Sequence, residues 1–136
     1  MAAAEAMPED RYTSAPSVGE FNGVPTFADQ VKHLAANNYR VAALILVQPP
    51  TSDQDSETGP DNARSKAQIM EYLKGPFAAL HRAVAQINSA NATEPLAGTY
   101  NRLQLAVDSL AHSYDHYGQM VEYLRMNGIV RPSSRK

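Results

Sequence analysis

Three stretches of this chain repeat their apolar residues every three or four positions, and strong helix breakers separate them. That pattern confines the fold to packed helices before anything else is considered. Thr26, with Asp29 three residues on, offers a cap to TFADQVKHLAANNYRVAALILVQ, which must stop before Pro49-Pro50. Ser65 opens SKAQIMEYLKGPFAALHRAVAQIN, in which Ile69, Leu73, Phe77, Leu80, Val84 and Ile87 recur at helical spacing. Gly75-Pro76 falls inside that segment, where a proline removes one backbone hydrogen bond and is expected to kink the helix rather than end it. The third stretch runs from about Tyr100 to Asn127 and closes with Arg125 in its final turn, Gly128 to take a left-handed cap, and Pro132 beyond. Ahead of them, residues 1–7 (MAAAEAM) are strong helix formers cut short at Pro8, the stub of a fourth helix. No segment alternates strictly with β-branched enrichment, so no strand is expected and the fold class is all-α.

The connections are uneven. Residues 8–25 are dense in Pro, Gly, Ser and Asn, and 89–98 read as a turn. The acidic segment PPTSDQDSETGPDNA, 49–63, has no apolar periodicity and is expected to be a flexible loop, while 131–136 is expected to be a disordered tail. With 136 residues and 43% hydrophobic content, residues 1–136 form one domain with one core.

Charge and composition exclude several functions. Twelve Lys and Arg stand against fourteen Asp and Glu with no basic block, so the electrostatic footprint of a nucleic-acid binder is missing. The longest apolar run, Val41–Val47, is far short of the roughly 20 residues that span a bilayer, so no membrane partner is expected. Without cysteine there is no disulfide, no thiolate nucleophile and no Cys-ligated zinc; a metal must rely on His, Asp or Glu.

Winding residues 100–127 at about 100° per residue sets Leu103, Val107, Leu110, Tyr114, Tyr117, Val121 and Leu124 on one stripe, expected to be the buried one. His112 and His116 share the edge of that arc beside Leu105, Met120 and Tyr123, at the i, i+4 spacing from which two imidazoles reach one cation. Two ligands do not make a site, since a catalytic divalent ion takes three and keeps a fourth position open. His33, at the border of the stripe Phe27, Val31, Leu34, Val41, Ile45, is the candidate third, with Asn37 one turn further along. His81 lies off its helix's apolar stripe and reads as a surface residue. From the residues alone, the three histidines either converge on a cation or are partly buried groups bonded to backbone or solvent. HSYDH has Ser113 where the metalloprotease motif HExxH has its glutamate, so it carries no general base, and no Glu-x-x-His pair of a di-metal bundle is present. On helical projection Asn37, Tyr39 and Tyr123 fall close enough to line a pocket, and Asp108, one turn before His112, is placed to fix its tautomer.

The entry EAMPEDRYTSAPSVGEFNGVPTFADQVKHLAANNY, the turn ANATEPLAG and above all AHSYDHYGQMVEYLRMNGIVRPSS resemble the DinB/YfiT superfamily of four-helix-bundle metalloenzymes over nearly all of residues 1–133. The resemblance implies an up-down-down-up bundle whose crossover is the 49–63 loop. It also implies a divalent ion, often nickel or zinc, held by His33, His112 and His116. Members act as thiol-dependent S-transferases using small thiols such as bacillithiol or mycothiol, or as a maleylpyruvate isomerase, and many are labelled hydrolases. The expected substrate is therefore a small molecule, with a low-molecular-weight thiol in view. The alternative is a non-catalytic bundle or oligomerisation module with a vestigial metal site. Against that family the first helix is only partly present, which leaves an apolar groove expected between helices two and four and points to a homodimer. As written the chain is expected to be cytoplasmic, or exported if a longer N-terminus carries a signal.

Overall fold

Three closed capping boxes start the three long helices. Thr26 accepts from the Asp29 amide while the Asp29 carboxylate accepts from Thr26, and α2 runs Phe27–Leu46. Ser65 and Gln68 do the same for α3, Lys66–Val84, as do Asn101 and Gln104 for α4, Arg102–Met126. Each box satisfies two amides that a helix start otherwise leaves without partners. The first helix, α1, is the five-residue Ala2–Ala6. The computed structural model describes residues 1–18, 23–49, 56–96 and 98–135, and no strand occurs among them.

The directions of the helices follow from who meets whom. Val31 and Leu34 pack with Ile69 and Leu73, and Val41 and Ile45 with Ala83, so α2 and α3 run parallel. Gln30 meets His116, and the Arg102 guanidinium donates to the Ile45 carbonyl, so α4 runs antiparallel to α2. The C-terminal end of α1 lies where α3 begins, because the Lys66 ammonium donates to the Glu5 and Met7 carbonyls at 2.7 and 2.6 Å. A cation on the free carbonyls of a helix end offsets the negative end of its dipole. The order is thus up-down-down-up, in an all-α bundle.

The larger core centres on Phe27, which is fully buried. Tyr12 meets its ring edge-on with centroids 5.3 Å apart, and Tyr123 lies 6.1 Å away on the other side. Ala3, Ala4 and Met7 of the N-terminal segment close this cluster, and the Tyr12 hydroxyl donates to the Ala4 carbonyl.

The structure corrects the stripe expected on α4. Leu103, Val107, Leu110 and Tyr114 are exposed, Leu110 by 59% and Tyr114 by 68%; the buried positions are Leu105, Ser109, His116, Met120, Val121, Tyr123 and Leu124. Helix α2 packs against both α3 and α4, which stand apart from each other. A larger apolar opening than the one expected therefore lies between α3 and α4, about 690 Å³ lined by Phe77, Leu80, Val84, Val107 and Leu110, while the opening between helices two and four is a smaller cleft of about 420 Å³. Periodicity shows that a face is apolar but not which neighbour covers it.

Helix α3 passes through Gly75-Pro76 unbroken and ends at Val84, short of the expected Asn88. The Tyr39 hydroxyl lies against the backbone at Gly75, in the space a Cβ would take, so a larger residue there must push the Tyr39 ring aside. Residues 50–55 of the expected loop lie outside the described residues, and the remainder is held down. Ser56 donates to the Gly59 carbonyl, Gly59 adopts a positive φ of 72° against Lys32, and Ala63 is buried. The expected disordered tail forms a 3-10 turn, Pro132–Ser134, with Ser133 bonded to Tyr117; Lys136 lies outside the described residues. No helix among the described residues is long and apolar enough to cross a membrane.

Candidate metal centre

Antiparallel α2 and α4 bring His33 opposite two successive turns of α4. The His112 Nε2 lies 3.3 Å from that of His33 and 3.1 Å from that of His116, and the three donor atoms all fall within 4.8 Å of one another. Two imidazole nitrogens bound to one tetrahedral zinc at about 2.0–2.1 Å stand about 3.3–3.4 Å apart, so the two pairs that include His112 are already close to the spacing such an ion needs. Three imidazoles suit zinc, nickel and neighbouring cations of intermediate softness.

The outer nitrogens explain why the inner ones converge. His33 donates from Nδ1 to the Glu57 carbonyl at 2.7 Å, and His116 donates from Nδ1 to Gln30 Oε1 at 2.6 Å. Each bond fixes its ring as the tautomer whose Nε2 lone pair faces the shared centre. His112 differs. The Asn37 oxygen accepts from Arg40 at 3.2 Å, which turns the Asn37 amide N–H toward His112 Nδ1, also at 3.2 Å. Neutral His112 then carries its proton on Nε2 and donates it toward His33 and His116. In this network a proton sits where a cation would. For His112 to offer a lone pair inward, that proton must leave Nε2 and the Asn37 amide must present its oxygen.

Burial is the main cause that lowers His116 to about 4, helped by the like charges of His112 and His33; burial, then His33, also lowers His112. Both are therefore neutral and ready for a cation at pH 7. The folded state holds these protons less tightly than the unfolded chain, whose histidines keep an ordinary value near 6.5. The unfolded chain binds more protons below that value, so stability rises with pH through the window. Metal-free protein is expected to lose stability as pH falls from about 6.5 toward 4. Urea midpoints taken across that range check it, and His116→Gln flattens the slope.

Among the residues singled out from sequence, Asn37 touches the histidines and three others do not. Tyr39 turns to α3, with its ring 6.0 Å from that of Tyr72. Tyr123 is buried against Phe27, its hydroxyl donating to the Pro25 carbonyl. Asp108 is exposed and makes no hydrogen bond to His112 among the described residues; Asn37 takes that place. His81 is exposed on α3. Sequence reasoning missed Gln30, although a polar residue on the stripe of Phe27, Val31 and Leu34 was a usable signal. It also missed the Glu57 carbonyl, for which a sequence holds no signal.

The family model of the DinB superfamily matches residues 1–120, a span that contains all three histidines and the helices that carry them. The chain belongs to the DinB superfamily. A comparison with curated proteins finds no match. DinB proteins are associated with metals, and the histidine cluster of this member is compatible with a metal-dependent role.

Proposed function

We propose that this DinB protein is a divalent-metal-dependent enzyme acting on a small molecule, with His33, His112 and His116 as ligands and zinc or nickel as the ion. Thiol S-transfer or hydrolysis is the reaction class. The observation that carries this reading is the convergence of the three inward nitrogens within 4.8 Å of one another, with His112 at 3.3 and 3.1 Å from the other two, close to the spacing in a tetrahedral centre that keeps one position open. A zinc or nickel ion bound there supplies Lewis acidity, enough to acidify a water or thiol or to polarise a carbonyl. The chain itself orients the ligands through Gln30 and the Glu57 carbonyl. No carboxylate among the described residues hydrogen-bonds to the three rings, so a glutamate base of the HExxH kind has no counterpart here. Loading the purified protein with zinc or nickel is expected to give one ion per chain and turnover, in a panel of thiol-transfer and hydrolysis assays, that disappears on chelation and returns with the ion. A protein that takes up neither ion overturns the reading.

A further inference from the structure

The His112 ring also forms part of a second wall. Between α2 and α4, on the side of His112 away from His116, lies a cleft of about 420 Å³ whose lining includes Arg40, Val41, Leu44, Leu105, Asp108 and His112. Its volume sits at the small end of ligand pockets. Its walls are mainly apolar, with Val41, Leu44 and Leu105 beside the Tyr100 ring, and Ser109 adds one hydroxyl to the polar groups. Arg40 has five N–H donors in a rigid fork. One bonds the Asn37 oxygen at 3.2 Å and one reaches the Glu57 carboxylate at 3.5 Å, both in exposed surroundings. The remaining donors have no acceptor among the described residues. A guanidinium with donors to spare, beside apolar walls and next to a metal ligand, is the arrangement that holds a carboxylate in a bidentate bond while an apolar body fills the pocket.

We propose that this cleft binds the substrate, a small organic monocarboxylate with an apolar body, and that Arg40 grips its carboxylate beside the metal-binding histidines. Asp108 in the same lining repels a second negative charge, which limits the ligand to a monoanion. The proposal rests on the metalloenzyme reading for the word substrate, but the cleft and its charge exist without an ion.

Phenylacetate titrated into the full chain, with and without zinc, tests it through the methyl resonances of Val41, Leu44 and Leu105. In both samples the acid is expected to shift those methyls and to bind on the order of tenfold more tightly than phenylacetamide, its neutral counterpart, or phenethylamine, its cationic one. Arg40→Gln should bring the acid down to the level of the amide, and phenylmalonate should bind more weakly than phenylacetate until Asp108→Asn narrows the gap. Equal binding of acid and amide, equal binding by Arg40→Gln, or shifts confined to other residues overturn the proposal. If the protein takes up no ion but phenylacetate still binds through Arg40, the metalloenzyme reading fails and the anion cleft stands.

Discussion

His112→Ala is expected to lower the affinity for zinc about a hundredfold or more, while His81→Ala leaves it unchanged. Four-ligand zinc sites in small peptides are worth roughly 10–16 kcal/mol, or about 3 kcal/mol per ligand, and a factor of ten costs about 1.4 kcal/mol. His112 is the ring on which this loss should fall hardest, because its inner nitrogen lies within 3.3 Å of both others. His81 is exposed on α3, which makes it the control for unspecific histidine binding. The same substitution has a thermal readout. Zinc at 100 times its dissociation constant stabilises a folded protein that alone binds it by about 2.7 kcal/mol, and nearly all of that should vanish in the variant. Calorimetric titration and melting curves with and without zinc check both outcomes; retained affinity in His112→Ala refutes the three-histidine centre.

Phe27→Ala is expected to cost about 3–5 kcal/mol, the range for deleting a buried aromatic ring. The residue is fully buried, and its ring joins Tyr12 of the N-terminal connection to Tyr123 of α4. Ala3, Ala4 and Met7 belong to the same cluster, so the cavity would open beneath the N-terminal segment as well as within α2 and α4. Domains of this size have only about 5–15 kcal/mol in total, and with a urea slope of about 1–3 kcal/mol/M a loss this large should lower the midpoint by at least about 1 M. Leu110→Ala is the contrast: at 59% exposure it should change stability by about 0.5 kcal/mol or less. Equilibrium urea unfolding of both variants is the measurement.

How much of this was legible beforehand depended on how local the physics was. The cap at Thr26 and the left-handed stop at Gly128 are written within four or five residues, and they appear where the pattern put them. The histidine cluster was legible because two of its rings lie one turn apart and the third borders an apolar stripe. Partners set by another helix were not. Helical projection placed Tyr39, Asp108 and Tyr123 near the rings, yet Tyr39 belongs to the contact with α3 and Tyr123 to the Phe27 core. The stripe from Leu103 to Tyr114 misled for a related reason: it is apolar, but α4 turns a different face to α2. The bond from His33 to the Glu57 carbonyl depends on where a crossover happens to run, and no residue type announces a backbone oxygen.

The parallel course of α2 and α3 shapes how the molecule must assemble. A helix and its successor cannot zip together as a hairpin when both point the same way; Val31 must wait for Ile69 across the whole crossover, and Asn37 for His112 across most of the chain. The following pair, α3 and α4, hardly touch, so no early local partnership seeds the bundle. Its contacts are therefore far apart along the chain, and it should reach the native state more slowly, and more nearly all at once, than an up-and-down bundle of equal length.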